Sequence, residues 1–242
     1  EYARRQFERI DPTRAIDRPE SGISGHGDTI LLEVMDQDHN AVSFIYSIYS
    51  GFGSGLVAPG TGFPLQNRAA LFSREPGHVN VVEPHKRPFH TIIPAFAFKK
   101  DMPGCQVRAE PIEQACRFEP WLSFGLMGGG MQPQGHVQVL VNIVDYGMNL
   151  QEAGDAARFN HDGGPQPTEA LNGPFADPLG TLFVEPGIPA ETVERLQAMG
   201  HKVEVIDNGI MFGGYQAIAR NPDTGVLTGA TEMRKDGQAA GY

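Results

Sequence analysis

The stretch Ser21-Gly22-Ile23-Ser24-Gly25-His26-Gly27-Asp28-Thr29-Ile30-Leu31-Leu32-Glu33-Val34-Met35 joins two segments of opposite character. Up to Asp28 the residues are mostly small and flexible, a poor core element and an accessible loop. From Ile30 to Met35 the run is apolar apart from Glu33, the pattern of a largely buried strand. Asp36-Gln37-Asp38-His39-Asn40 is a turn cluster. Residues Ala41 to Ile48 are again rich in strand formers, so the two runs predict a hairpin that begins at Thr29.

Upstream, residues 1–28 read as a tail, the first part of it made polar by Arg4, Arg5, Glu8, Arg9 and Asp11. Downstream, Gly51-Phe52-Gly53-Ser54-Gly55 and Pro59-Gly60-Thr61-Gly62 are loops. Strands are predicted for Thr91 to Phe98 and Trp121 to Met127, the second ended by Gly128-Gly129-Gly130. Val137, Leu140, Val141 and Val144 have helical spacing within a segment from about Gly135 to Tyr146, and Gly147 is a suitable cap. Leu150 to Arg158 predicts a second helix with Asn149 as N-cap. A strand from Thr181 to Val184 is followed by a helix from Pro189 to Met199, with Gly200 at its end. Lys202 to Ile206, Gly214 to Arg220 and Val226 to Glu232 are further strands. The order of strands, helices and strands gives an α+β fold with an antiparallel sheet.

With 242 residues, the chain can form one large domain or two small ones. Its 30 glycines and 19 prolines favour tight turns over long helices. The net charge of −10 argues against nucleic acid as a partner. No apolar run approaches the ~20 residues of a membrane span. Cys105 and Cys116 can form one disulfide or remain thiols, but two cysteines make neither a disulfide framework nor a zinc site. His26, His39, His85 and His161 lack metal-ligand spacing, so no metal or cofactor is expected. Glu1 reads as a cut end, and any targeting segment would lie upstream of it, which leaves the compartment open.

A hydroxyl is a weak nucleophile at neutral pH. An N-terminal threonine carries its own base, the α-amine, and an internal one gains it when the preceding peptide bond is cut. The Asp28–Thr29 bond suits that event, because the new terminus would be anchored in a sheet.

From Thr29 onward the sequence resembles the small subunit of γ-glutamyltranspeptidases. The shared landmarks are Val34-Met35-Asp36 followed by Asn40-Ala41-Val42, the Phe52-Gly53-Ser54-Gly55 loop, Gly60-Thr61-Gly62, Lys86-Arg87-Pro88 with Pro94, Gly128-Gly129, Ala157-Arg158-Phe159 and Ala240-Gly241-Tyr242. The resemblance implies the N-terminal nucleophile hydrolase fold, an αββα sandwich of two sheets between helix layers, completed by a large subunit from the same precursor. Residues 1–28 would be the end of that large subunit, and 29–242 the catalytic small-subunit domain. The implied product is a heterodimer, or a dimer of heterodimers.

The resemblance also implies roles. Thr29 would be the nucleophile and Ser47, eighteen residues on, the hydroxyl beside it, where the family has threonine. Gly128 and Gly129 would form the oxyanion hole. The γ-glutamyl clamp of the family maps onto Tyr49, Arg68, Leu71, His90 and Thr91, and here the sequence departs. Leu71 has no acceptor for an ammonium group, and Arg68 would repel one and attract a carboxylate. The family's arginine from the large subunit lies outside this chain. Asp101 to Pro120 is an insertion, expected as a surface loop. The expected activity is hydrolysis or transfer of γ-glutamyl-type amides such as glutathione through an acyl-enzyme. The alternatives are an amidohydrolase for glutaryl or small dicarboxylic amides, or an uncleaved, non-catalytic relative.

Overall fold

A computed structural model describes residues 4, 10–14, 28–100, 118–164, 168 and 179–242. Most of the tail before Asp28, His26 and the two cysteines lie outside the described residues. Strands β1 (Asp28–Met35) and β2 (Ala41–Tyr49) form the expected hairpin. Asp36 caps its turn, accepting from the backbone of Asp38 and Asn40 at 2.9 and 2.8 Å. A four-stranded antiparallel sheet contains β3 (Ala95–Lys100), β4 (Phe118–Met127), β8 (Gly214–Arg220) and β9 (Leu227–Thr231), in the order β3-β4-β8-β9. A third sheet, in the order β5-β6-β7, is built from Phe159–Asp162, Thr181–Val184 and Val203–Val205.

The hairpin lies on one face of the four-stranded sheet. Helices α1 (Met131–Val144) and α2 (Leu150–Asp155) cover the other. The core fills that second interface, with Leu122, Phe124 and Leu126 of β4 and Tyr215 and Ala217 of β8 against Met131, Val139, Leu150 and Ala153. Helix α3 (Ala190–Ala198) follows Pro189 and ends before Gly200, as its sequence predicts. Asn149 caps α2 within a full capping box with Glu152.

Four expectations are corrected. The run from Ile30 to Met35 is covered on one face only. Thr29, Leu31, Glu33 and Met35 alternate with Ile30, Leu32 and Val34, and these three, with Val42, Phe44 and Tyr46 of β2, are 46–61% exposed. The strand predicted from Thr91 begins at Ala95, because Pro94 has no N–H for a ladder. Phe118–Pro120, read as the end of a surface loop, open β4 and pair with β3; residues 101–117 lie outside the described residues. The second helix stops at Asp155, since the chain from Phe159 turns into β5, a strand not predicted.

Strand β5 pairs antiparallel with β6 along one edge, and its other edge is held from α1. The side chain of Gln134 accepts from His161 N at 2.9 Å and donates to His161 O at 3.0 Å. One turn later, Gln138 does the same for Phe159 at 3.0 and 2.9 Å. Two amide side chains thus stand in for a neighbouring strand. Close by, a buried ion network joins the elements. Arg158 meets Glu232 at 2.8 Å, and Arg234 meets Glu232 at 2.8 Å and Glu185 at 2.5 Å. Arg158 also donates to Gly154 O and Phe212 O. Removing one partner from such a buried pair typically costs about 3–5 kcal/mol.

Glu33 sits between the hairpin and the sheet, accepting from the hydroxyls of Ser43 (2.7 Å) and Ser123. Burial pushes its carboxyl from the ordinary 4.5 up to about 7, although both serines pull it down. The folded chain therefore holds this proton more tightly than the unfolded chain. Stability from this group is lost as pH rises from about 4.5 through about 7. In Glu33→Gln that contribution is absent, so thermal melts between pH 5 and 8 should show a flatter fall in Tm than the native chain. An unchanged slope would contradict the assignment.

Candidate active site

The ladder sets Thr29 opposite Ser47, and the next pair outward is Asp28 with Tyr49, so Ile48 is an extra residue at the level of the Asp28–Thr29 bond. A bulge of this kind bends a strand and re-aims its side chains. Thr29 is 5% exposed, and its hydroxyl donates to Ser47 Oγ at 2.9 Å. Past the bulge Tyr49 takes a positive φ of 79°, an uncommon conformation for an aromatic residue, and its N–H donates to Ser47 Oγ at 3.0 Å.

A 3-10 turn, Arg68–Leu71, is fastened beside the bulge. Asn67 pairs with both backbone groups of Ser50, at 3.1 and 3.0 Å, and its N–H donates to Ile48 O. This places Arg68 Nη2 3.0 Å from Ser47 Oγ and its guanidinium 5.0 Å from the centre of the Tyr49 ring. Arg68 is only 7% exposed, and its Nη1 has no hydrogen-bond partner among the described residues. Burial holds its pKa below the ordinary arginine value. Four of the predicted residues, Thr29, Ser47, Tyr49 and Arg68, therefore form one contact chain. Leu71 is buried in the same turn.

Gly128 and Gly129 lie between β4 and α1, with φ of 134° and 59°. Leu31 packs on Gly125 and Glu33 on Ser123, so moving back along β1 to Thr29 means moving forward along β4 toward Met127 and the glycine pair. The start of β1 and the end of β4 thus lie at the same end of the two layers. A Cβ on Gly128 would stand 2.9 Å from Gly213 Cα. Their place at the start of α1 gives the pair the N–H-rich end of a helix.

Thr91 is buried and His90 exposed, and among the described residues neither hydrogen-bonds Thr29. Their segment is tied to α1 instead. Ile93 N donates to Gln132 Oε1 at 3.3 Å, and Ile93 O lies 2.8 Å from His136 Nε2. Sequence reasoning missed Gln132, His136 and Asn67, which carry no motif. Gly213-Gly214 was a visible signal, another Gly-Gly pair at a strand start.

The sequence model of the gamma-glutamyltranspeptidase family matches residues 1–242. The chain is 36% identical over 225 residues to the oxamate amidohydrolase proenzyme of Klebsiella pneumoniae, covering 93% of this chain and 37% of that protein. It is 34% identical over 214 residues to the glutathione hydrolase-like YwrD proenzyme of Bacillus subtilis, covering 88% and 36%. The chain therefore spans little more than a third of the curated relatives it matches. Among solved structures, the cephalosporin acylase from Bacillus halodurans superposes with a TM-score of 0.75 at 39% identity, covering all of this chain and 38% of that one. The α+β arrangement is thus the N-terminal nucleophile hydrolase fold.

Gly128→Ala should destabilise the chain by about 1–3 kcal/mol in urea unfolding, since it combines a positive φ with a backbone clash. Gly62→Ala, also at positive φ but in open space, is the control. Equal losses would show that the contact with Gly213 is unimportant.

Proposed function

The chain belongs to the γ-glutamyltranspeptidase family, and from that premise we propose that it is the catalytic segment of an N-terminal-threonine amidohydrolase, cut between Asp28 and Thr29. The observation that carries the proposal is the Thr29–Ser47 hydroxyl pair at the level of a bulge. In the uncut chain Thr29 Oγ attacks the Asp28 carbonyl carbon. The acyl group shifts from nitrogen to oxygen, and water hydrolyses the ester, leaving the Asp28 carboxylate and a free Thr29 amine.

In the cut enzyme, the amine takes the Thr29 hydroxyl proton as Oγ attacks the substrate amide. Charge on the carbonyl oxygen is stabilised by the N–H groups of Gly128 and Gly129, and losing one such donor typically lowers the rate about 10²–10³-fold. The C–N bond breaks, the leaving nitrogen takes the proton, and the acyl group remains as an ester on Thr29. Water then attacks the ester and gives its proton to the amine, which returns it to Thr29 Oγ.

The exposed apolar face of Ile30, Leu32, Val34, Val42, Phe44 and Tyr46 supports a further layer over the hairpin. A large subunit of the same precursor is the proposed partner, making a heterodimer. Thr29→Ala should abolish both cleavage and activity. A mass spectrum showing normal processing of that variant would refute the assignment, and an uncut native protein would identify a non-catalytic relative.

Arg68 and Leu71 favour the reading of a non-γ-glutamyl amidohydrolase. A γ-glutamyl donor brings an ammonium and a carboxylate, and both need partners when water is excluded. Leu71 supplies none for the ammonium and Arg68 repels it, whereas a carboxylate suits Arg68, with His90 and Thr91 as further contacts. Losing one partner of a buried charge pair costs about 2–5 kcal/mol, on the order of 30- to several-thousand-fold in affinity. The processed enzyme should therefore prefer glutaryl-p-nitroanilide to γ-glutamyl-p-nitroanilide, with hydrolysis outrunning transfer to dipeptides. The opposite preference would show that the ammonium is bound elsewhere.

A further inference from the structure

We propose that Arg68 is a positioning residue of the self-cleavage step, acting through Ser47 to help Thr29 give up its hydroxyl proton. The inference rests on the reading of Thr29 as the residue that cuts its own chain. The Asp28–Thr29 bond is intact in this structure, so the geometry is that of the chain before the cut. In that chain Thr29 has no α-amine, because its nitrogen is still the amide of the bond to be broken. The base that serves the cut enzyme is therefore missing when the first attack is made.

Three donors converge on Ser47 Oγ. The Thr29 hydroxyl lies at 2.9 Å, the Tyr49 N–H at 3.0 Å and Arg68 Nη2 at 3.0 Å. A serine hydroxyl has two lone pairs and one hydrogen of its own. The backbone N–H and the guanidinium can only donate, and together they fill both lone pairs. Thr29 is one donor too many, and the crowding ends when its hydroxyl loses the proton. Ser47 then turns its own hydrogen toward Thr29 Oγ and stabilises the negative charge there. Arg68 strengthens that bond, since a hydroxyl that accepts from a cation becomes a better donor.

The two hydrogen bonds also put Nη2 at most about 6 Å from Thr29 Oγ. An opposite charge within about 4–6 Å favours the charged form of a group by about 1–3 pH units. Arg68 is buried and enters no salt bridge among the described residues, so no carboxylate there neutralises it. Oγ then bonds to the Asp28 carbonyl carbon, the C–N bond breaks, and the proton from Oγ ends on the Thr29 nitrogen. The ester that remains is split by water. Arg68 Nη1, without a partner among the described residues, is left for the substrate.

The test follows cleavage of the whole precursor, with the fraction carrying a Thr29 N-terminus read by mass spectrometry over time. Arg68→Gln can still donate a hydrogen bond but has no charge, and it should cleave about 10- to 1,000-fold more slowly than the native precursor. Arg68→Lys keeps the charge and should recover most of the rate. In a Ser47→Ala background Arg68→Gln should cost clearly less than it does alone, because residues that act through one another are not additive. A native rate in Arg68→Gln, a lysine variant as slow as the glutamine one, or an equal cost in both backgrounds would each overturn the inference. Thermal melts of the uncut variants distinguish slow chemistry from a misfolded chain. Where Arg68→Gln does not fold, the lysine variant decides: a rate near native is expected, and one as slow as Ser47→Ala would overturn the inference. A native precursor with no Thr29 terminus would instead overturn the reading beneath it.

Discussion

The hydrogen bond between Thr29 and Ser47 depends on a ladder that pairs these two residues face to face. A slip of one residue would turn one of the two hydroxyls to the opposite face of the hairpin. The same slip would bring Ile30, Leu32 and Val34 onto the four-stranded sheet and expel Glu33 from between Ser43 and Ser123. Register is therefore held from both ends. At one end Asp36 fixes the turn, and at the other Asn67 clips the bulge to the turn that carries Arg68. The site lies at the end farther from the turn, where extra length in β2 can be absorbed without disturbing the ladder.

The remaining candidate parts are set by close approach between backbones. Gly128 and Gly213 meet where β4 ends and β8 begins, at a distance that admits no side chain. Helix α1 begins immediately afterwards, and Gln132 and His136 on it reach the segment after Thr91. One helix thus fixes both the glycine pair and the His90–Thr91 segment. A shift of α1 would move them together.

Much of this was legible in the sequence. Gly200, Asn149, and the strand from Thr181 to Val184 are governed by local backbone chemistry, and they fall where read. The hairpin was legible because its turn and its alternation agree. What was not legible depends on partners remote in sequence. Four residues from Phe159 form β5 between β6 and the side chains of Gln134 and Gln138, and nothing in Phe-Asn-His-Asp announces that. The one-sided covering of β1 was misread because an apolar run looks the same whichever layer covers it. At the site, Thr29 and Ser47 came from spacing and resemblance, and the bulge at Ile48 could not have been seen without the ladder.

The ion network around Arg158 has a consequence for how the chain comes apart. Glu185 follows β6, Glu232 follows β9, Arg158 precedes β5, and the carbonyl that Arg158 and Arg234 share, that of Gly154, lies at the end of α2. No one of these pieces can peel away without stranding a charge in the interior. The third sheet, although small and joined to α1 by side chains, is thereby bound to the unfolding of the main sheet. Amide hydrogens of β5, β6 and β9 are therefore expected to exchange together, as one cooperative unit.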